Sequence, residues 1–275
     1  MKTIPVFALS LLLTLPLVAQ PVTPAAFTGS DGADLLIPIA GRTPGARGEL
    51  FVTDVTLVNF GPETQRLELT WNPQGGTSMP QVEFLDLGAR IAFTAEDIVG
   101  VFFGTMGVGA IRIRAIDATG NADMNAQIDA HARVWTRTTC TDLAGTVSQS
   151  VPAVRLGEWR QCSGAYMHGA RQNGQFRSNY GIVNPSPFAD SFRVIVSSET
   201  GRFEEVVTVP PFGTVHRPVP AGAGGELSIF VEAPSTCHVA PIEMNWRTYA
   251  TTVDNQSGSG WTMVGIQPRM DVAVE

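Results

Sequence analysis

The sequence predicts an all-β protein of two tandem antiparallel β-sandwich domains, with a short helical insertion in the first. Three observations predict it. Apolar and polar residues alternate with period 2 in short runs, the pattern of strands that bury one face. Turn-forming residues stand between the runs, with 28 Gly and 19 Pro in a chain of 275. One long stretch of the chain also matches another, segment by segment and in the same order. With 44% hydrophobic residues there is apolar material for a packed core, which excludes a wholly disordered chain.

Taken in order, residues 1–19 run Met-Lys-Thr, then apolar from Ile4 to Val18, then Ala19. A positive start, a short apolar stretch and a small final residue read as a secretory signal peptide, with cleavage expected after Ala19. Pro5 and Pro16 interrupt a stretch already shorter than the roughly 20 residues that span a bilayer, and no later run reaches that length. The expected product is exported to the periplasm, the exterior or the cell surface, and is not membrane-embedded. Residues 20–33 read as a flexible segment, 34–154 as the first sandwich and 160–272 as the second, with the boundary near 152–162, around Pro152 to Gly157.

The repeat organises these domains. Phe51-Val-Thr-Asp-Val-Thr-Leu-Val-Asn59 lines up, 125 residues on, with Phe176-Arg-Ser-Asn-Tyr-Gly-Ile-Val-Asn184. Each is followed by a Pro-containing turn and a new alternating run, Arg66 to Trp71 in one half and Phe192 to Val196 in the other. Further on, Gly109 to Arg114 aligns with Gly225 to Phe230, and Arg133-Val-Trp135 with Arg247-Thr-Tyr249. Asn59 and Asn184 close their strands where a side-chain amide can bond the turning backbone. Thr94-Ala-Glu-Asp97 is placed to cap a short helix through Phe103, for which the second half has a Gly/Pro-rich stretch from Pro218 to Gly225 instead.

Those repeated segments resemble a tandem, broadly immunoglobulin-like β-sandwich module of uncharacterised secreted bacterial proteins. The resemblance rests on Phe176-Arg-Ser-Asn179 through Val183-Asn184, on Arg247-Thr-Tyr249, and on Gly145-Thr-Val-Ser-Gln149. It covers most of the chain after residue 19 and implies a fold, with no activity attached. The first half departs from the pattern at Val52-Thr-Asp54 and at Trp135.

Composition removes several chemistries. Of 18 basic residues only Lys2 is lysine, so beyond residue 19 no lysine can form a Schiff base, serve a phosphate loop or pair with a nucleophilic serine. A net charge of −7 argues against nucleic acid as a partner. Neither a Gly-x-Ser-x-Gly elbow, a His-Glu-x-x-His helix, a Cys-x-x-Cys pair nor a dinucleotide glycine fingerprint occurs. No cofactor is expected. Of the three cysteines at most two can pair within the chain; Cys162–Cys237 is favoured over Cys140–Cys162.

Four candidate features remain. Asp117, Asn121 and Asp123 offer oxygens at alternate positions, as in a calcium-binding turn, but the EF-hand ligand order is not met, and hairpin turns favour the same residues. Asp129, His131 and Arg133 share one face of a predicted strand, read as a solvated polar face. Glu204 and Glu205 read as an exposed strand edge. Among the five tryptophans, Trp159 in the presumed linker and Trp71 are the ligand-stacking candidates, while Trp135 and Tyr249 are assigned a shared packing role. The expected function is non-enzymatic: a secreted binding or structural protein acting through tandem sandwiches on proteins or the cell surface. The alternative is a carbohydrate-binding module that stacks surface polysaccharide on exposed aromatics.

Overall fold

A computed structural model describes residues 34–45, 48–77, 79–137, 146–156, 162–233 and 246–267. The described residues form 17 strands and one four-residue helix, in several antiparallel sheets of which none is closed, an arrangement consistent with a β-sandwich. In chain order the N-terminal half contains β1 (Asp34–Pro44), β2 (Leu50–Asn59), β3 (Gln65–Pro73), β4 (Gln81–Leu87), β5 (Ala92–Ala95), α1 (Ile98–Val101), β6 (Gly107–Ile116), β7 (Ile128–Arg137), β8 (Thr146–Pro152) and β9 (Val154–Arg155). The C-terminal half contains β10 (Ala165–Gln172), β11 (Phe176–Asn184), β12 (Asp190–Ser198), β13 (Gly201–Val209), β14 (Gly213–Pro218), β15 (Gly225–Val231), β16 (Arg247–Asp254) and β17 (Gly260–Val264).

The duplication read from sequence recurs in the strand pairing. In the first half one layer runs β4-β3-β6-β1 and the other groups β5, β2, β7 and β8; β1 joins them by turning from β6 onto β2 at Thr43 and Pro44. In the second half the layers run β13-β12-β15-β10 and β14-β11-β16-β17, the same order strand for strand. Both first strands carry a bulge: one extra residue lies between Ile37 and Ala40 in β1, and one between His168 and Ala170 in β10.

Matched side chains hold the matched strands. Asn59 Nδ2 donates to the carbonyls of Glu63, Leu87 and Gly88 while its Oδ1 accepts from Gly61 N; Asn184 Nδ2 donates to Phe188, Val209 and Pro210 while its Oδ1 accepts from Ser186 N. Each buried amide therefore ties the end of one layer's strand to the end of a strand in the other layer. A second clamp sits beside the bulges. Thr53 Oγ1 exchanges bonds with both backbone groups of Gly41, and Ser178 Oγ does the same with Arg171.

These anchors correct two of the sequence alignments. Val55 pairs with Ala132 and its counterpart Tyr180 with Ala250; Leu69 pairs with Ile113 and its counterpart Val194 with Val231. Both later strand pairs are therefore offset by 118 residues (250 − 132 and 231 − 113). Gly109 corresponds to Leu227 rather than Gly225, and Tyr249 to His131 rather than Trp135. The alignment errors are two and four residues, both even, so each left every side chain on its proper face.

The helix is shorter than expected and starts later. Thr94 belongs to β5, and the cap is Asp97, in a left-handed conformation with its side chain accepting from Gly100 N. Ile98, Val99 and Phe103 close one end of the N-terminal core, a task that Val219 and Ala223 perform in the C-terminal half.

Alternation along the strands sorts the apolar residues into three clusters. Leu35, Ile37, Ile111 and Ile113 point into the first core, and Tyr180, Ile182 and Ala250 into the second. Their neighbours Leu36, Ala110, Val183 and Tyr249 point the other way and meet in a third cluster with Leu156. The layer holding β1 and β6 thus packs its outer face on that of the layer holding β11 and β16, giving a stack of four layers. The presumed linker takes part in it. β9 pairs with β1, and Arg247, 1% exposed, donates to the carbonyls of Arg155 and Leu156.

Replacing Asn59 or Asn184 by Ala leaves three carbonyls and an amide without their partner at a buried layer junction. Each substitution is expected to lower unfolding free energy by about 3 kcal/mol, measured by urea denaturation.

Candidate functional site

The outer face of the layer formed by β5, β2, β7 and β8 is one end of the stack. Val55, Leu57, Ala130 and Ala132 turn inward, so Thr56, His131 and Arg133 turn outward. With Asp54, Thr94, Ser148 and Ser150 they line a cleft of about 320 Å³. Asp129, His131 and Arg133 share this exposed face as the sequence predicts.

Its polar groups are largely engaged with one another. Ser150 Oγ lies 3.1 Å from His131 Nε2, and the Thr56 and Thr94 hydroxyls are 3.0 Å apart. Asp54 Oδ1 accepts from Asp97 N at 3.0 Å, and Asp97 is paired with Arg42. Arg133 donates to Thr146 Oγ1 and lies over the Trp135 ring, 5.6 Å from its centroid. Ser150 and His131 meet as a nucleophile and base would, but Asp129, the carboxylate on His131's own strand face, spends Oδ1 on Ala130 N at 2.8 Å. What the cleft presents is a set of hydroxyls with one imidazole, one guanidinium and one carboxylate, suited to hydrogen-bonding a polar surface.

The same positions in the C-terminal half do something else. The cross-strand row Pro152–His131–Thr56–Thr94 corresponds to Val264–Tyr249–Gly181–His216. Tyr249 is fully buried in the cluster between the halves, and its ring lies where a Cβ on Gly181 would stand, 2.1 Å away. His216 stacks on that ring with centroids 5.8 Å apart, its Nδ1 3.0 Å from the Tyr249 hydroxyl. Burial pushes the Tyr249 phenol well above its ordinary range and holds His216 down to about 4.

The structure disperses the residues picked out from sequence. Trp71 is not a stacking surface: it is 3% exposed, packed on Phe103 in the core with Leu67 and Leu69. Trp159 lies outside the described residues, as do Cys140 and Cys237. Cys162 is disulfide-bonded, to a partner outside the described residues. Asp117 builds a turn: its Oδ1 accepts from Thr119 N, Thr119 Oγ1 and Asn121 N, and the Thr119 hydroxyl bond chiefly holds its carboxyl below the usual range. Asp123 Oδ1 accepts from Asn125 N, and among the described residues no group of three or more metal-ligating side chains gathers. Glu204 pairs with Arg193 and Arg202, whereas Glu205 accepts from the Tyr180 hydroxyl and pairs with Arg217.

Trp135 and Tyr249 do not share a role: Trp135 is half-buried under Arg133, while Tyr249 is at the junction. Trp246 and Tyr249 face opposite ways, Trp246 packing on Phe192 in the second core. Sequence reasoning missed an aromatic patch on the other end of the stack. Tyr166 stacks on Phe230 at 4.3 Å and lies parallel to His168, while Ser228 Oγ is 3.1 Å from His168 Nδ1. Its signal was present as aromatic residues at alternate positions, Tyr166 and His168. Among the described residues no helix is long and apolar enough to cross a membrane. The chain matches no protein-family model, no curated protein and no solved structure.

His216 supplies a pH test. Its folded value lies below the ordinary 6.5, so the unfolded chain binds more protons between those limits and stability rises with pH there. The contribution is complete above pH 6.5 and is lost as pH falls toward 4, on the order of 3 kcal/mol in all. Thermal unfolding of His216→Gln across pH 4–7 is expected to show a correspondingly flatter profile than the unaltered chain.

Proposed function

We propose that this chain is an exported, non-enzymatic binding or structural protein that works through two tandem, broadly immunoglobulin-like β-sandwich domains, on other proteins or at a cell surface. One observation carries the reading. The face that the C-terminal half buries with Tyr249, Gly181 and His216 is open in the N-terminal half and lined with Thr56, Thr94, His131 and Arg133. A sheet face whose counterpart serves as an interface, and whose own side chains are polar and accessible, suits recognition of a protein surface. The signal-peptide reading of residues 1–19 and the resemblance of the repeat to a secreted module support the same proposal.

The carbohydrate alternative loses Trp71 to the core. Trp261 is 36% exposed, but its nearest aromatic partner, Phe176, stands at 68° to it, so the two offer no common plane for a sugar ring. Retention of the chain on envelope fractions from its producing cells, before and after protease treatment, separates the two readings. Protease-sensitive retention that His131→Ala/Arg133→Ala weakens about tenfold is the expected result. Retention that survives protease and reappears on purified polysaccharide overturns the proposal in favour of sugar binding.

A further inference from the structure

The two ends of the four-layer stack are the counterparts of the two faces that meet at its centre. At the centre, the N-terminal half presents the cross-strand row Val154–Leu36–Arg112–Thr70, of which Leu36 and Val154 lie in the cluster shared with Tyr249. Its counterpart in the C-terminal half is the row Ile266–Tyr166–Phe230–Ile195 on the far side of the last layer, where Ile266 is exposed, Tyr166 and Phe230 are half-buried and Ile195 is buried. The opposing central face, built around Tyr249 and Gly181, has its counterpart in the cleft around His131 and Thr56 at the far end. Among the described residues, each molecule therefore carries one copy of both faces packed together at the centre and a second copy of each at the ends.

We infer that a second copy of this chain occupies these ends, the Tyr166 face of one molecule packing on the His131 cleft of the next. The inference rests on the protein-binding reading and names the partner. Continuity with the interface between the halves is the first support: the same sheet faces, in the same strand order, already pack on each other within one chain. The second support is a matched exchange of volume. Inside the molecule the large side chain, Tyr249, belongs to the C-terminal layer and meets the smaller Leu36 and Ala110. At the ends the bulk has changed sides. Leu36 is replaced by Tyr166, Ala110 by Ser228 and Arg112 by Phe230, while Tyr249 is replaced by the smaller His131 and Gly181 by Thr56, beside an open cleft of about 320 Å³.

The apolar row supplies the burial. Tyr166 and Phe230 stack in the middle of the face, and Ile266, 59% exposed, extends them at one side. Polar groups flank the row, with His168 bonded to Ser228 on one side and Arg193 bridging Glu204 and Glu232 on the other. An apolar centre with a polar rim is the usual build of a protein interface. Because the two faces differ, the contact is head-to-tail and does not close on itself, so its product is an open-ended series of chains.

Sedimentation velocity of the full chain, as purified from its producing cells, tests the inference. The expected mass rises with concentration from one chain to two and more over roughly the micromolar range. Tyr166→Asp and Thr56→Arg, each blocking a different end, are expected to stay single; mixed in equal amounts they should form a dimer and nothing larger, since one intact end of each kind remains. Should Tyr166→Asp unfold, Ile266→Asp blocks the same face from an exposed position. An unaltered chain that stays single at every concentration overturns the inference, as does association that persists in either variant alone or fails to return on mixing. A single chain that still binds a protease-sensitive envelope component sinks the self-association only; assembly without that binding sinks the wider reading and leaves the head-to-tail contact standing.

Discussion

In a stack of four β-layers the two inner layers must bury both of their faces, and the rest of this structure follows from that requirement. A strand with period-2 alternation buries one face and wets the other; a strand buried on both faces needs apolar or fully bonded side chains at every position. β16 shows how the sequence meets it. Ala250 faces the second core, Tyr249 faces the junction, and Arg247 is paid for by bonds to the Arg155 and Leu156 carbonyls. Tyr249 fits only because residue 181 has no side chain, and the imidazole of His216 must then stay neutral to lie against it. One aromatic ring thus fixes a glycine, a histidine's charge state and the approach of the two halves.

Much of the fold was legible in the sequence, for a definite reason. Alternation and turn residues are local signals, and the pair Phe51–Asn59 and Phe176–Asn184 retains its spacing because both ends are pinned. Asn59 and Asn184 each satisfy three carbonyls and one amide, while Thr53 and Ser178 each grip the residue beside a bulge. Register was not legible further on. A two-residue or four-residue error along a strand moves no side chain to the wrong face, so Gly109 matched to Gly225, or Trp135 to Tyr249, satisfied every pattern available. Only the ladders distinguish them.

The candidate site was legible in its residues and illegible in its use. Asp129, His131 and Arg133 on one strand declare an exposed polar face, yet the cleft needs Thr56, Thr94 and Ser150 from three other strands, and strand order is a long-range fact. Trp71 is the opposite case. Leu67, Leu69 and Trp71 alternate on one face, a pattern that already assigns the indole to the core. Composition alone, an indole counted as a surface for sugar, was the weaker guide. The segment around the expected boundary is a packed one: Leu156 lies in the cluster between the halves and β9 pairs with β1.

Duplication explains why the polar and apolar ends differ. Immediately after a tandem duplication both halves present the same two faces, and any packing between halves uses one face of each. The buried pair is then constrained by its partner: Tyr249 cannot enlarge without displacing Leu36 or Ala110, nor can Gly181 gain a methyl group against the ring. The outer pair is free of that partner and diverges, one toward hydroxyls around His131, the other toward stacked aromatics around Tyr166. At that end Tyr166, Phe230 and Ile195 on three strands, with Ile266 bridged to Tyr166, form an apolar row that is exposed at Ile266 and buried at Ile195, and an exposed apolar edge of this kind suits a partner that covers it.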